Sequence, residues 1–389
     1  MSIAEPSLRS RRPGGFTGAL LATATLIALG SVLLSACSYP NSSPPTTSPP
    51  TTTTAPVAEN LAVAFLNRYV AADGRVVRYD QGGDSVSEGQ AYGLLLAVAA
   101  HDAARFASVW TWEKDNLQEE NGLFAYHWSN GAVIGTGNAT DADLDTAWAL
   151  VLGATAFGQP NYRKEGLAVA AAILANETVV SVGRIELVAG PWARTAPYAV
   201  DVSYFSPEAM ATLAAASHDP RWTQLAANSQ QLVEELQGGA STRYLPPDWA
   251  LLSASGSIAP SNPPSGGAPP SYGLDAERVP VWYAADCTAS GRALSANEWP
   301  IIGGLEGEGA YQAYSLTGAV QQPYTNNLGL VAAAASAGAA RQSSQGRSLL
   351  AQAQGGGNGT TYYGDAWVAL GSVLLTTDLL SPCPPTPAS

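Results

Sequence analysis

Residues 138–150 read Asn-Ala-Thr-Asp-Ala-Asp-Leu-Asp-Thr-Ala-Trp-Ala-Leu. Three carboxylates, Asp141, Asp143 and Asp145, fall within five positions, and the chain then turns apolar. The apolar spacing predicts a helix over 143–157 with its acids at the start, where the helix dipole favours negative charge. Asp141 is placed to cap it and Asp143 to answer the dipole. Those roles satisfy one acid, not three. Like charges this close repel, so partners are expected: an arginine, a sugar hydroxyl, or both. Calcium is a third option, but the run lacks the glycine and closing glutamate of an EF-hand.

Helical spacing recurs on both sides of this stretch. It covers 61–69, 89–100, 103–117, 165–175, 207–217, 223–236, 274–285, 295–301, 308–317, 326–339 and 361–376, twelve segments with 143–157. Strand-like runs are few and short, at 124–128, 178–187 and 198–200. No internal repeat is evident, and the Pro/Gly/Ser-rich stretch 253–271 reads as a surface loop. The chain is therefore almost all-α. Twelve such helices suit a closed toroid of six inner and six outer helices, and periodicity equally allows an open solenoid.

Composition narrows the function. Of 389 residues 46% are hydrophobic and 13% charged, which suits a sizeable core and excludes a disordered chain. The net charge of −13 argues against nucleic acid and anionic lipid as partners. Three cysteines and three histidines, in no ligand-like spacing, leave no metal site and no cofactor to expect.

The first 36 residues read as an export signal, with Arg9, Arg11 and Arg12 ahead of an apolar run ending in Leu34-Ser35-Ala36-Cys37. Small residues before a cysteine resemble a bacterial lipobox, which would make Cys37 the lipidated residue. The alternatives are an ordinary secretory signal and a retained anchor, for which the run is shorter than the roughly 20 residues a span needs. Residues 37–56, rich in Pro, Ser and Thr, form an extended stalk, and 57–389 form the folded domain. The expected setting is a lipid-anchored monomer at the outer side of the bacterial cytoplasmic membrane. In an exported chain the two remaining cysteines, Cys287 and Cys383, point to a disulfide rather than two separate thiols.

Three further segments carry chemistry. In 86–93, Val-Ser-Glu-Gly-Gln-Ala-Tyr-Gly, Ser87 is placed to cap a helix with Glu88 in its first turn. Gly89 and Gly93 weaken that helix, which points to a close approach. Gln90 and Tyr92 add polar groups to an otherwise apolar run. In 272–282, Asp275 and Arg278 stand three apart and share a helix face, by itself a pair worth a few tenths of a kcal/mol. Aromatic residues collect in loops and at helix ends: Tyr126, His127, Trp128, Trp192, Tyr204, Trp249, Trp282, Tyr362 and Tyr363. Aromatic faces beside carboxylates suit a neutral polyhydroxy ligand.

Taken in order, Ser87-Glu88-Gly89-Gln90-Ala91-Tyr92-Gly93, Ala139-Thr140-Asp141-Ala142-Asp143, Ser203-Tyr204-Phe205-Ser206-Pro207, Leu245-Pro246-Pro247-Asp248-Trp249, Asp275-Ala276-Glu277-Arg278 and Tyr362-Tyr363 resemble the motifs of glycoside hydrolase family 8. The likeness spans about 61–375. It implies an (α/α)6 barrel with an open cleft, and inverting endo-hydrolysis of a β-1,4-glucan. Residue by residue it implies Glu88 as general acid, Asp275 as general base, and Asp141 holding the distorted sugar. Arg278 and Tyr204 would lie near the base and its water. Trp128 and Trp192 would be stacking platforms, with Gln90, Tyr92 and Tyr362 also toward the substrate. The acid would have to be kept protonated by burial and nearby Asp charge, whereas Asp275 beside Arg278 is expected to stay ionised. The chain departs from the pattern at Thr146, Pro247 and Gly364, and at Asp201-Val202, where the resemblance has Asn-Pro. Another β-1,4 polymer (xylan, chitosan or an envelope glycan) and non-catalytic glycan binding are the alternative readings.

Overall fold

Among the described residues six helices are apolar on nearly every face, and that property sets their place. In α2 (Ser87–Ala99) every residue but Glu88 is buried, and in α4 (Thr140–Ala156) burial is unbroken from Thr140 to Val151. A helix buried all round needs neighbours on every side. The computed structural model, which describes residues 55–239, 243–303, 311–356 and 360–381, supplies them. The leader, Cys37, nearly all of the stalk, and Cys383 lie outside the described residues. Cys287 is disulfide-bonded.

The inner helices are α2, α4, α6 (Pro207–Ser217), α8 (Val279–Ala285), α10 (Asn327–Ala339) and α12 (Tyr362–Thr376). Each packs on the next, and α12 packs back on α2, so the ring is closed. The outer helices are α1 (Ala55–Tyr69), α3 (Ala103–Asn116), α5 (Pro160–Asn176), α7 (Pro220–Leu236), α9 (Ala289–Ile302) and α11 (Ser343–Gln354). In α7 the buried residues Trp222, Leu225, Ser229, Leu232, Val233 and Leu236 form one stripe, as an outer helix requires. This is an (α/α)6 barrel, and the open solenoid is excluded. Among the described residues no helix is long and apolar enough to cross a membrane.

Local chemistry sets the helix starts. Asp102, Ser206, Asp219, Thr288, Asn326 and Thr361 cap α3, α6, α7, α9, α10 and α12 through their side chains. Two expected caps are corrected. Ser87 is the first residue of α2 rather than its cap, and its buried hydroxyl finds no partner. Asp141 lies inside α4, behind Ala139 at the cap position. Both helices start a residue or more earlier than capping implied, which leaves the Asp141 side chain to a tertiary contact.

Small antiparallel sheets fill the loops: β1 (Ser85–Val86), β2 (His127–Ser129) and β3 (Ala132–Gly135) in one; β4 (Thr178–Ser181) with β5 (Arg184–Leu187); β6 (Tyr198–Asp201), β7 (Trp249–Leu252) and β8 (Ile258–Pro260) in a third. The helix expected over 308–317 is not formed in its described part. Tyr311–Tyr314 is strand β9, paired with β10 (Val320–Thr325). Spaced aromatics on a short run fit a hairpin as well as a helix turn, and Gly318 at φ +92° takes the turn. Helix α11 escaped detection because its buried face is only Gly346, Leu349, Leu350 and Ala353.

Candidate active site

Inner helices α2, α4 and α12 begin at one end of the barrel, as do the turns leading into α6 and α8, and these beginnings converge on Arg278. Its side chain is 2% exposed and sits in a 3-10 turn (Ala276–Arg278) just before α8. Nη1 donates to Glu88 Oε1 at 2.7 Å and to Asp141 Oδ2 at 2.8 Å. Nη2 donates to Ser203 Oγ and lies 3.5 Å from Asp275 Oδ1. One guanidinium thus joins three carboxylates, the farthest of them, Glu88, 190 residues from Arg278 in sequence. The expected Asp275–Arg278 pair is one edge of a larger network, and Arg278 is the partner that the Asp141 charge required.

Glu88 is fixed from behind. Tyr92, one turn along α2, donates its hydroxyl to Glu88 Oε1 at 2.7 Å and accepts from Trp367 Nε1 at 3.2 Å. Oε1 therefore takes two donors, which leaves Oε2 to carry a proton. Burial pushes the Glu88 carboxyl up to about 7, helped by the charges of Asp141 and Asp275 and opposed by Arg278 and Tyr92. The helix dipole, which favours the anion, is outweighed. Gly89 makes the arrangement possible: a Cβ there would lie 2.3 Å from the Tyr362 hydroxyl.

Asp275 is the most open member of the network, with 40% of its side chain exposed. Packed protein around it still raises it to about 6, with Asp248 and Asp141 adding to the rise and Arg278 opposing it. Burial exceeds the ion pair in setting that value, and a carboxyl near 6 is still largely ionised at neutral pH, as expected beside Arg278. Asp248 holds the backbone beneath Asp275, accepting from Gly273 N and Ala276 N at 2.9 Å each and from Ser271 Oγ at 3.0 Å.

Aromatic rings lead away from this centre. The Arg278 guanidinium lies 5.5 Å from the Tyr204 ring centroid, Tyr204 meets Trp249 edge-on, and Trp249 lies 6.4 Å from Trp192. Trp192 is 49% exposed. Trp128 instead carries the Arg75 guanidinium on its ring at 4.7 Å and meets the edge of Trp112, so it offers less free ring than expected. Gln90 is a correction. It is completely buried, its Oε1 accepting from Val76 N and its Nε2 donating to Gly74 O and Val109 O. It staples a loop to α2 and α3 and faces no ligand. Tyr92 and Tyr362 are also buried, behind Glu88 rather than in front of it.

Asp143 and Asp145 point into the protein, Asp143 Oδ1 accepting from Phe124 N at 2.8 Å. Among the described residues no His, Cys, Asp and Glu cluster could hold a metal ion. The Thr146 departure is explained by its hydroxyl, which donates to the buried Glu113 carboxyl at 3.0 Å. Asp201, Ser203 and Asp248 also belong to the site; in sequence, Ser203 and Asp248 sit inside two of the motifs and Asp201 stands out as an unusual acid beside one of them.

Opposed carboxylates of unequal acidity on a helical toroid, with exposed aromatic rings beside them, define a hydrolase of polyhydroxy substrates. The profile of glycosyl hydrolases family 8 matches residues 51–376, and the chain belongs to that family. A probable endoglucanase of Novacetimonas hansenii is 34% identical over 234 residues, 58% of this chain and 66% of that relative. The fold is similar to that of an endo-β-1,4-glucanase from Acetobacter xylinum, with TM-score 0.67 and 24% identity over 82% of this chain and 98% of the other. It is also similar to that of a β-1,3-1,4-glucanase from Paenibacillus sp. X4, with TM-score 0.75 and 23% identity over 84% and 94%.

Proposed function

We propose that this protein is an inverting, endo-acting hydrolase of β-1,4-glucan. The observation that carries the reading is the single guanidinium shared by Glu88, Asp141 and Asp275, with Glu88 held near 7 and Asp275 near 6. Glu88 delivers the proton on Oε2 to the leaving oxygen. Asp275, ionised and open to water, activates the attacking water from the other face of the ring. Inverting enzymes hold the two carboxyls roughly 6.5–9.5 Å apart to admit that water. Asp141, whose oxygens accept from Arg278 and Ala142 N, keeps spare lone pairs for a hydroxyl of the sugar being distorted. Exposed Trp192 and the rings behind it give a chain of sugars apolar faces to rest on.

Reducing-end release from soluble cellulose derivatives, mixed-linkage glucan, xylan and chitosan tests the reading. We expect fastest release from the β-1,4-glucan and first appearance of the α-anomer by proton NMR. Glu88→Gln and Asp275→Asn should each lower turnover at least about 10²-fold, the scale of general acid–base catalysis. Glu88→Gln should lose less on a substrate with a highly acidic leaving group. Faster cleavage of xylan or chitosan would change the substrate. Binding without release would leave a glycan-binding protein. The leader, read from sequence, supports an activity outside the cytoplasm. Cys37→Ala should then move the protein from the membrane to the soluble fraction, and its retention there would assign the anchor to the apolar run.

A further inference from the structure

Asp201 ends strand β6 and is 1% exposed. Its Oδ1 accepts from Ser203 N at 2.9 Å and from Ser203 Oγ at 2.6 Å. Its Oδ2 is sealed from water, and no donor group of the protein reaches it. The carboxyl of Asp275 lies within hydrogen-bond reach of that of Asp201. Two ionised carboxylates are both acceptors, so a hydrogen bond between them requires a proton on one.

The surroundings decide which. Asp275 is 40% exposed and faces Arg278 Nη2 at 3.5 Å, whereas Asp201 is enclosed and its second oxygen has no donor. Charge belongs on the solvated, ion-paired partner. The charged groups facing the pair are Arg278 from the turn before α8, Asp141 from α4, and Asp248 ahead of β7. The phenols of Tyr204 and Tyr363 complete the surround. Asp141 and Asp248 both oppose a second negative charge.

We propose that Asp201 is a positioning residue that holds a proton in the resting protein and donates it in a hydrogen bond to Asp275, keeping the base ionised and aimed. This rests on the reading of Asp275 as the base. Burial, with the Asp275 charge adding, raises Asp201 well above the carboxylate range, in keeping with the geometry. An asparagine, the residue the resemblance has here, donates through its amide at any pH. Aspartate donates only while it keeps its proton.

Infrared difference spectra of the resting protein near neutral pH test the proton directly and need no substrate. Asp201→Asn should remove a neutral-acid carbonyl band, and Asp275→Asn should remove an ionised carboxylate band. Loss of a carboxylate band on Asp201→Asn overturns the proposal whether or not the protein cuts glucan. In turnover, Asp201→Ala should lower kcat about tenfold or more and move the acid limb of kcat/KM to higher pH, because the base loses its donor. Asp201→Asn should return the acid limb toward the native position and recover most of the lost kcat. An acid limb unmoved in folded Asp201→Ala, or no recovery with Asp201→Asn, also overturns the proposal. Loss of all glucan cleavage by the native protein, with the infrared bands as expected, would instead reject the proposed substrate.

Discussion

Arg278 carries a full charge at 2% exposure, a position tolerable only because anions surround it. Its charge reaches Glu88 and Asp275 alike and burial raises both, so the two acids end about a unit apart largely because glutamate starts higher than aspartate. That difference predicts the pH dependence. The proposed mechanism needs Glu88 protonated and Asp275 ionised. The Asp275 condition is gained as pH rises through about 6, and the Glu88 condition is lost as pH rises through about 7. The kcat/KM profile on soluble glucan should therefore be a narrow bell between these limbs, which belong to the coupled set rather than to single residues. A plateau reaching pH 9 would remove Glu88 from the acid role. The sequence exposed Glu88, Asp141, Asp275 and Arg278 because each sits in a recognisable local motif. It could not expose Ser203 as a partner of Arg278, because 75 residues separate them and only the ring brings them together. Gln90 misled for a related reason. A polar residue in an apolar helix reads as a ligand group, but here three backbone groups on other segments required it.

Helix pairs show where packing, rather than propensity, sets the tolerances. A Cβ on Gly166 in α5 would lie 2.9 Å from Ala147 O and 2.9 Å from Leu150 Cβ in α4. Both atoms belong to a buried inner helix and cannot step aside. Gly166→Ala should therefore destabilise the protein by about 1–3 kcal/mol, beyond the ~1 kcal/mol that alanine gains as a helix former. Gly338 in α10 is the control, since nothing lies within 4 Å of its Cβ position. Gly338→Ala should be neutral or stabilising by up to about 1 kcal/mol. Denaturant titration of both variants checks the pair, and equal shifts would reject the packing argument. The same contrast explains what was legible. Helix α6 was bounded correctly because Ser206 caps it and Pro207 starts it. Helix α11 has neither a side-chain cap nor a full apolar stripe, and depends on α10 for its burial.

Over the whole molecule, acids are buried in unusual number for a chain of net charge −13. Burial raises Glu113, Asp143, Glu177, Glu277 and Glu298 well above the carboxylate range, and raises Glu208 to about 7. The unfolded chain releases these protons near pH 4, whereas the native one keeps them. A raised native value gives stability that is present at acid pH and lost as pH rises through it. The melting temperature should thus fall steadily from pH 5 to pH 9, and Glu208→Gln should flatten the slope around pH 7. Asp84, held low against burial by hydrogen bonds from Arg78 and His127, acts oppositely, but only on the acid side. A melting temperature that rises with pH would contradict the neutral state of these acids. Closure of the ring carries one more consequence. Arg68 and Tyr69 of α1 reach Asp365 of α12 at 3.0 and 2.7 Å, and Trp367 on the same helix completes the bonding of Tyr92. A chain leaving the ribosome delivers these halves at opposite ends of its synthesis. Until the last helix arrives, the toroid is a horseshoe and the acid at position 88 lacks its backing. A ribosome that stalls upstream of α12 therefore yields a silent product, not a weakened enzyme.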